Sequence, residues 1–493
     1  MYIGGEWVEA ASGEWRPVDD PSTGEQVAEV PAAGAADTDR AVAAAREAFE
    51  TGPWPRLGVD ERCRLLGELG RELERRAETL TEVIVTEAGC PVRMADLMQV
   101  ATPIGQIGDL LELARTVSKP VPLAPTETPP AAISEIRREP VGVCAGFSPF
   151  NFPLFMNIWK LVPAAAMGNT VVLKPSPFTP LASIELARAV EAVGFPPGVV
   201  NVVTGDVEAG ERLATHPDVS LVSFTGSTAV GKRIMEMAAP TLKRLVLELG
   251  GKSPSIILDD ANVELAVRGS LFSAFIHGGQ ACVAATRLLV HQSLYDDVLQ
   301  RLRELVSAMT VGSAHDFSTD LGPVVSETQL QRITQFVDGA ATDGAKVLVG
   351  GNRADVGLGG YYFEPTVLTD VTADMPAYQE EIFGPVLSVI PFEADRDAIR
   401  IANDSRYGLG AVVWSDDLMR ARKIAGTLRA GTVWINDFGS INAQAPYGGY
   451  KESGLGRELG VDGMLAYTEA KHLVTALDQD VEMRPYTLIG LNW

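Results

Sequence analysis

Cysteine, histidine and long apolar runs are all scarce in this chain. Only 4 cysteines and 5 histidines occur in its 493 residues. The cysteines, at 63, 90, 144 and 282, have neither metal-ligand spacing nor the spacing of a disulfide framework. No metal site is expected from them, and a reducing cytoplasm is the simplest home for such thiols. No apolar run approaches the roughly 18 residues of a membrane-spanning helix. The amino terminus, Met-Tyr-Ile-Gly-Gly-Glu-Trp, lacks the basic and then apolar regions of a signal peptide. Positive charge is also short, with 41 Lys plus Arg against 64 Asp plus Glu and a net charge of −23. That balance repels phosphate backbones and anionic lipid, so neither nucleic acid nor a membrane surface is expected as a partner. A nucleotide cofactor needs only a local site and remains allowed.

What is present belongs to an ordinary globular protein, 46% hydrophobic and 21% charged. The chain is too long for one core, and two or three domains are expected. Helical periodicity predicts helices over about 36–50 and 60–88. In the second, Leu65, Leu66, Leu69 and Leu73 repeat at helical spacing, Asp60 is the expected cap and Gly89 the expected stop. Residues 119–130, Lys-Pro-Val-Pro-Leu-Ala-Pro-Thr-Glu-Thr-Pro-Pro, are expected to break regular structure and leave the domain body. From 140 to 250 short apolar runs alternate with helical stretches. Val141–Phe147, Thr170–Leu173, Val199–Val203, Leu221–Phe224 and Leu245–Leu249 read as buried strands, and Leu181–Val193 as a helix between them. This predicts an α/β fold with a parallel, Rossmann-like sheet, followed by a second alternating stretch from about 255 to 450. No internal repeat or low-complexity tract is visible.

Three positions carry chemistry. Cys282 lies in Phe275-Ile-His-Gly-Gly-Gln-Ala-Cys-Val-Ala-Ala-Thr-Arg287. A lone cysteine is most often packed in a core, but the flanking Gly278-Gly279 and Thr286-Arg287 are unlike a core strand. Asn151 lies in Ser148-Pro-Phe-Asn-Phe-Pro153, where two prolines stiffen the backbone as a preorganised amide donor requires. A turn asparagine is the simpler alternative. Glu248 lies in Leu247-Glu-Leu-Gly-Gly-Lys-Ser-Pro254. It reads either as a strand-end carboxylate facing water or as one whose pKa is raised by Leu245, Leu247 and Leu249 towards base duty. A thiol, an amide and a carboxylate together can attack a carbonyl, hold an oxyanion and activate water. Gly226-Ser-Thr-Ala-Val-Gly-Lys-Arg233 imitates a P-loop, but Arg233 stands where a magnesium-binding hydroxyl is needed, so nucleotide hydrolysis is disfavoured.

These blocks resemble those of the aldehyde dehydrogenase superfamily, and the resemblance covers nearly the whole chain. Ile3-Gly-Gly-Glu-Trp7, Leu173-Lys-Pro-Ser176, Phe224-Thr-Gly-Ser-Thr-Ala-Val-Gly231, Glu380-Glu-Ile-Phe-Gly-Pro-Val386, Pro446-Tyr-Gly-Gly-Tyr-Lys-Glu-Ser-Gly-Leu-Gly-Arg-Glu458 and Ala466-Tyr-Thr-Glu469 follow in family order. The resemblance implies a nucleotide-binding domain over 1–118 and 139–250, and a catalytic domain over 251–452. It also implies a β arm over 119–138 and 453–493 that joins subunits into dimers or tetramers.

The implied reaction is NAD(P)-dependent oxidation of a small-molecule aldehyde to a carboxylate. The matching residues make Cys282 the nucleophile, Asn151 an oxyanion donor and Glu248 the hydrolytic base. They place Lys174, Ser176, Gly226, Ser227, Gly231, Leu249, Glu381 and Phe383 around the cofactor. Phe152, Met156, Trp159, Ile441 and Tyr447 would line an apolar substrate tunnel that suits aliphatic or aromatic aldehydes. His277 is expected to be structural. The alternatives are a coenzyme A-acylating enzyme, whose kind generally lacks the glutamate supplied by Glu248, and a non-catalytic structural relative. Two departures stand out. Phe150 replaces the usual tryptophan, and Pro177 stands where NAD-preferring relatives often carry a glutamate. NAD is therefore expected to be favoured modestly, by about tenfold or ~1 kcal/mol, with NADP possible. Lys174 and Arg212 would be the first suspects if NADP were preferred. The tail over 478–493, with Tyr486, Leu488, Ile489, Leu491 and Trp493, is expected to dock on a neighbouring subunit.

Overall fold

Two large sheets carry the molecule, and a small third one projects from it. The computed structural model describes residues 1–127, 130–481 and 484–486. The first sheet has eight strands in the order Gly454–Leu455, Arg244–Glu248, Val219–Thr225, Val143–Phe147, Thr170–Lys174, Val200–Val202, Tyr2–Ile3, Glu6–Trp7. The five strands from Arg244–Glu248 to Val200–Val202 are mutually parallel. They are buried almost throughout, as a sheet covered on both faces requires. Strand order reverses between Val143–Phe147 and Val219–Thr225, which opens a crevice at their carboxyl ends.

The second sheet runs Lys346–Val349, Thr366–Thr369, Val386–Phe392, Arg287–His291, Pro254–Ile257, Gly410–Trp414, Thr432–Ile435. It is parallel except for its first pair. The third sheet pairs Thr468–Ala476 with Ala132–Pro140, and that strand with Val121–Thr126. Ahead of Thr468, Gly454–Leu455 closes one edge of the first sheet. Among the described residues no helix is long and apolar enough to cross a membrane.

The expected strands and the helix Leu181–Val193 are present, with ends moved by one or two residues. Gly89 ends its helix as expected, at φ 65, where an added Cβ would lie 2.7 Å from Pro323. Three expectations fail. The single helix over 60–88 is two, Val59–Arg75 and Ala77–Ala88, broken at Arg76. The bend lets both apolar stripes, Leu66-Leu69-Leu73 and Leu80-Ile84-Val85, enter one core, which a straight rod of that length does not do. Asp60 does not cap; Gly58 holds the cap position, and the Asp60 carboxylate accepts from Arg115 Nε at 3.1 Å. The proline-rich stretch is a strand over Val121–Thr126 rather than a break. It survives because it is an exposed edge strand with a single neighbour and a bulge between Leu123 and Thr126, so the missing proline N–H groups cost no ladder bond. The expected docking of the tail falls largely on residues 482–483 and 487–493, which lie outside the described residues.

Candidate active site

The crevice at the strand reversal holds a cavity of about 320 Å³. Asn151, Lys174, Ser176, Gly226, Ser227, Glu248, Cys282, Glu381 and Phe383 all line it. Of the expected cofactor residues, Gly231 and Leu249 do not. They touch each other instead, since a Cβ added to Gly231 would fall 2.5 Å from Leu249 Cδ2. Their contact lets the helix Thr228–Ala238 pack on the end of the strand Arg244–Glu248.

Cys282 follows a short turn in which His277 and Gly278 both take left-handed backbone angles. Gly279 continues at φ +73, and an added Cβ there would lie 2.1 Å from the Gly384 carbonyl. A Cβ on Gly251 would meet the Cys282 carbonyl at 2.2 Å. Glycine at both places lets the cysteine loop close against the loops carrying Glu248 and Glu381. Burial, then the Glu248 and Glu381 carboxylates, push the Cys282 thiol up to about 12. Asn151 Nδ2 donates to the Gln280 carbonyl at 2.6 Å, and Gln99 Nε2 holds the Asn151 carbonyl at 3.0 Å. The amide is thus tethered beside the nucleophile, with one of its N–H groups left over.

Glu248 ends its strand at 1% exposure, and among the described residues neither carboxylate oxygen has a hydrogen-bond partner. Burial raises its pKa well above 4.5, with the Glu458 carboxylate adding to the effect and Lys160 and Arg457 opposing it. A carboxyl held this way binds a proton more tightly than a solvated one, as a general base needs. Lys160 Nζ donates to Thr225 Oγ1 at 2.8 Å, to Ser223 Oγ at 3.1 Å and to Glu458 Oε1. Gly448 leaves room for Glu248, since a Cβ there would be 2.6 Å from its Oε1.

At the other end of the cavity lies Lys174, the last residue of its strand. Burial lowers its pKa to about 8, opposed by Asp206 and helped by Arg16. Its hydrogen bond is to the carbonyl of its neighbour Pro175, at 3.3 Å. Ser176 Oγ accepts from the Phe178 N–H at 3.3 Å. Ser227 caps the helix Thr228–Ala238, its Oγ accepting from the Val230 N–H, so that helix's amino terminus faces the cavity. Glu381 accepts from the Gly251 N–H at 2.9 Å and is lifted to about 7 by burial. Phe383 sits at φ 60 and meets Phe150 edge-on at 5.6 Å. Phe150, the departure noted in the sequence, thereby becomes part of the cavity wall.

On the far side of Cys282 the expected tunnel residues gather in one apolar cluster. Trp159 and Tyr447 are 5.1 Å apart edge-on, Phe155 bridges Phe152 and Trp159, and Ile441 packs against the same cluster. Met156 is buried in it. The Tyr447 side chain acts on the Cys282 thiol, opposing the rise in its pKa. His277 is buried, has no partner on either ring nitrogen among the described residues, and packs on Phe152 at 5.8 Å.

Several cavity residues were missed in the sequence. Gln329 donates to the Ile382 and Phe383 carbonyls, and Arg332 to the Glu381 carbonyl at 2.8 Å. Both come from the helix Glu327–Thr342, where nothing local marks them. Lys160 did leave a signal, as a lone charge in the otherwise uncharged helix Pro153–Ala166.

Fold and site together define a cysteine-dependent enzyme of the dinucleotide-cleft type. The sequence profile of the "Aldehyde dehydrogenase family" matches residues 7–473, and the chain belongs to that family. It is 39% identical over 480 residues to "Betaine aldehyde dehydrogenase" of Bacillus subtilis (strain 168), covering 96% of each chain. It is 40% identical over 484 residues to "Aldehyde dehydrogenase, mitochondrial" of Homo sapiens, covering 97% of this chain and 92% of that one. Among solved structures, a point mutant of Staphylococcus aureus betaine aldehyde dehydrogenase, in complex with NAD+ and with a BME-modified cysteine, superposes with TM-score 0.95. It has 39% identity and 98% coverage of both chains. An NAD+ complex of Bacillus cereus aldehyde dehydrogenase superposes with TM-score 0.94 at 39% identity, covering 97% and 96%.

Proposed function

We propose that this chain oxidises aldehydes to carboxylates with NAD, through a covalent adduct on Cys282. The observation that carries the reading is the meeting of Cys282, a tethered Asn151 amide and an unpartnered buried Glu248 on one cavity. The cavity fits a dinucleotide. Lys174 is a buried ammonium with donors to spare, and among the described residues Ser148 Oγ is buried without a partner. Gly226 and Ser227 present backbone and hydroxyl at a helix amino terminus. Lys174 and Ser176 would hold the adenosine end, and Glu381 and Phe383 the nicotinamide end. The related Staphylococcus aureus and Bacillus cereus structures contain NAD+.

Glu248, its pKa raised by burial, takes the thiol proton and frees the thiolate. The thiolate adds to the aldehyde carbon, giving a thiohemiacetal. Asn151 Nδ2 and the Cys282 N–H donate to its oxygen; among the described residues no hydrogen bond occupies that N–H. Bound nicotinamide supplies the hydride acceptor that leaves a thioester on the sulfur. Glu248 gives that first proton up to solvent and, ionised again, takes a proton from water as the water attacks the thioester; the C–S bond breaks, the carboxylate leaves and Cys282 is regenerated as the leaving sulfur.

The aromatic and aliphatic wall of Phe152, Met156, Trp159, Ile441 and Tyr447 favours aliphatic or aromatic aldehydes. The strands Val121–Thr126, Ala132–Pro140 and Thr468–Ala476 are proposed as the arm that joins subunits. The nucleotide-binding domain is proposed over 1–118 and 139–250, and the catalytic domain over 251–452. Free cysteines at 63, 90, 144 and 282 fit a reducing cytoplasm. NADH absorbance with propanal, benzaldehyde and betaine aldehyde tests the reading. No NADH from any aldehyde, or NADH only when coenzyme A is added, would overturn it.

A further inference from the structure

Pro177 lines both the cofactor cavity and a second one, of about 310 Å³. With Pro177 and Phe178, Arg16 lines this second cavity, from the amino-terminal hairpin of Trp15–Asp20 and Glu25–Pro31. Arg16 Nη1 donates to Asp206 Oδ2 at 2.6 Å. Asp206 stands at the cap of the helix Val207–Thr215. That helix rests on Lys174, since a Cβ added to Gly210 would lie 3.4 Å from Lys174 Cε. The charges of Asp206 and Arg16 both act on the Lys174 ammonium. Three chain segments far apart in sequence therefore bring one carboxylate and two cations near one another: Lys174 lines the cofactor cavity, Arg16 lines the second one, and Asp206 stands behind them, bonded to Arg16.

Chemistry says what such a corner can distinguish. A carboxylate beside the adenosine ribose accepts from a 2′-hydroxyl and repels a 2′-phosphate. A guanidinium grips a phosphate bidentately. Pro177, three residues after Lys174, offers neither acceptor nor charge. Arg212, the other basic residue suspected in the sequence, is spent on Asp39.

We propose that Asp206 and Arg16 read the 2′ position of the adenosine ribose, Asp206 as the acceptor that favours NAD and Arg16 as the cation that admits NADP. The inference rests on the dinucleotide reading above. While Asp206 holds Arg16, the corner accepts a 2′-hydroxyl. A 2′-phosphate must take Arg16 away from Asp206, and it gains a partner in doing so. The bar to NADP is therefore partial, and Asp206 sets its height. Both side chains are partly exposed, 33% and 55%, which keeps the effect moderate.

The test is direct binding without aldehyde. NAD and NADP are titrated into the full-length protein, its D206N variant and its R16Q variant, followed by tryptophan fluorescence at fixed ionic strength. NADH and NADPH formation from propanal is followed in parallel. D206N is expected to shift the NADP-to-NAD affinity ratio towards NADP by about tenfold or more. R16Q is expected to shift it towards NAD by about fivefold or more, and R16K to recover part of the loss. Ratios within about twofold of the parent in both D206N and R16Q would overturn the assignment while leaving aldehyde oxidation intact. A parent protein that binds neither dinucleotide and reduces neither would instead sink the dinucleotide reading, and this inference with it.

Discussion

Lys160 and Glu458, 298 positions apart in the chain, form an ion pair with each side chain only 1% exposed. Glu458 also joins Tyr447 by two backbone hydrogen bonds of 2.7 Å, so the pair fixes the segment that carries Tyr447 and Gly448 against Cys282 and Glu248. Removing one partner strands a buried charge. K160M is expected to cost about 3–5 kcal/mol, while K160M/E458L recovers most of that loss. Scanning calorimetry of the two variants checks this, and equal melting of K160M and the parent would refute it.

C282S is expected to lower aldehyde oxidation at least about a thousandfold, because a hydroxyl is a far weaker nucleophile than a thiolate in this setting. NAD affinity by fluorescence titration should persist, since Lys174 and Glu381 are untouched. Turnover near that of the parent would remove Cys282 from the reaction.

E248Q has a kinetic and a thermodynamic consequence. Rapid mixing is expected to give an NADH burst and then a steady state slowed about 10²–10⁴-fold, because water is no longer activated. The folded pKa of Glu248 lies above 4.5. As pH rises past that value, the unfolded chain loses this proton before the folded one does, so stability falls. Gln carries no charge and escapes the fall. E248Q should therefore melt above the parent at pH 8, with the gap closing as pH drops towards 4.5. A gap that does not change with pH would contradict the burial of an unpartnered carboxylate.

N151A should lose about 10²–10³ in kcat, the usual size of one oxyanion donor. It also releases the tether to Gln280. N151D keeps size but removes the Nδ2 donor from both the oxyanion and the Gln280 carbonyl. If the donor matters, it should be no better than N151A, measured as kcat at saturating NAD and propanal.

Much of the site was legible in the sequence because its signals are local. Gly278 and Gly279 permit the left-handed turn before Cys282. Pro149 and Pro153 stiffen the loop of Asn151, and alternating apolar runs placed Lys174 and Glu248 at strand ends. Backbone sterics and side-chain period act within a few residues, so they can be read along the chain. What joins distant segments was decided only by the tertiary structure. Lys160 finds Glu458, Arg16 finds Asp206, and Gly231 and Leu249 spend their contact on each other rather than on the cavity. Local preference also yielded to position: prolines stand in a strand because it is a sheet edge, and the helix breaks at Arg76 because two apolar stripes share one core. A side chain's partner and the water it loses depend on which segments are brought beside it, and no period or motif in the chain records that.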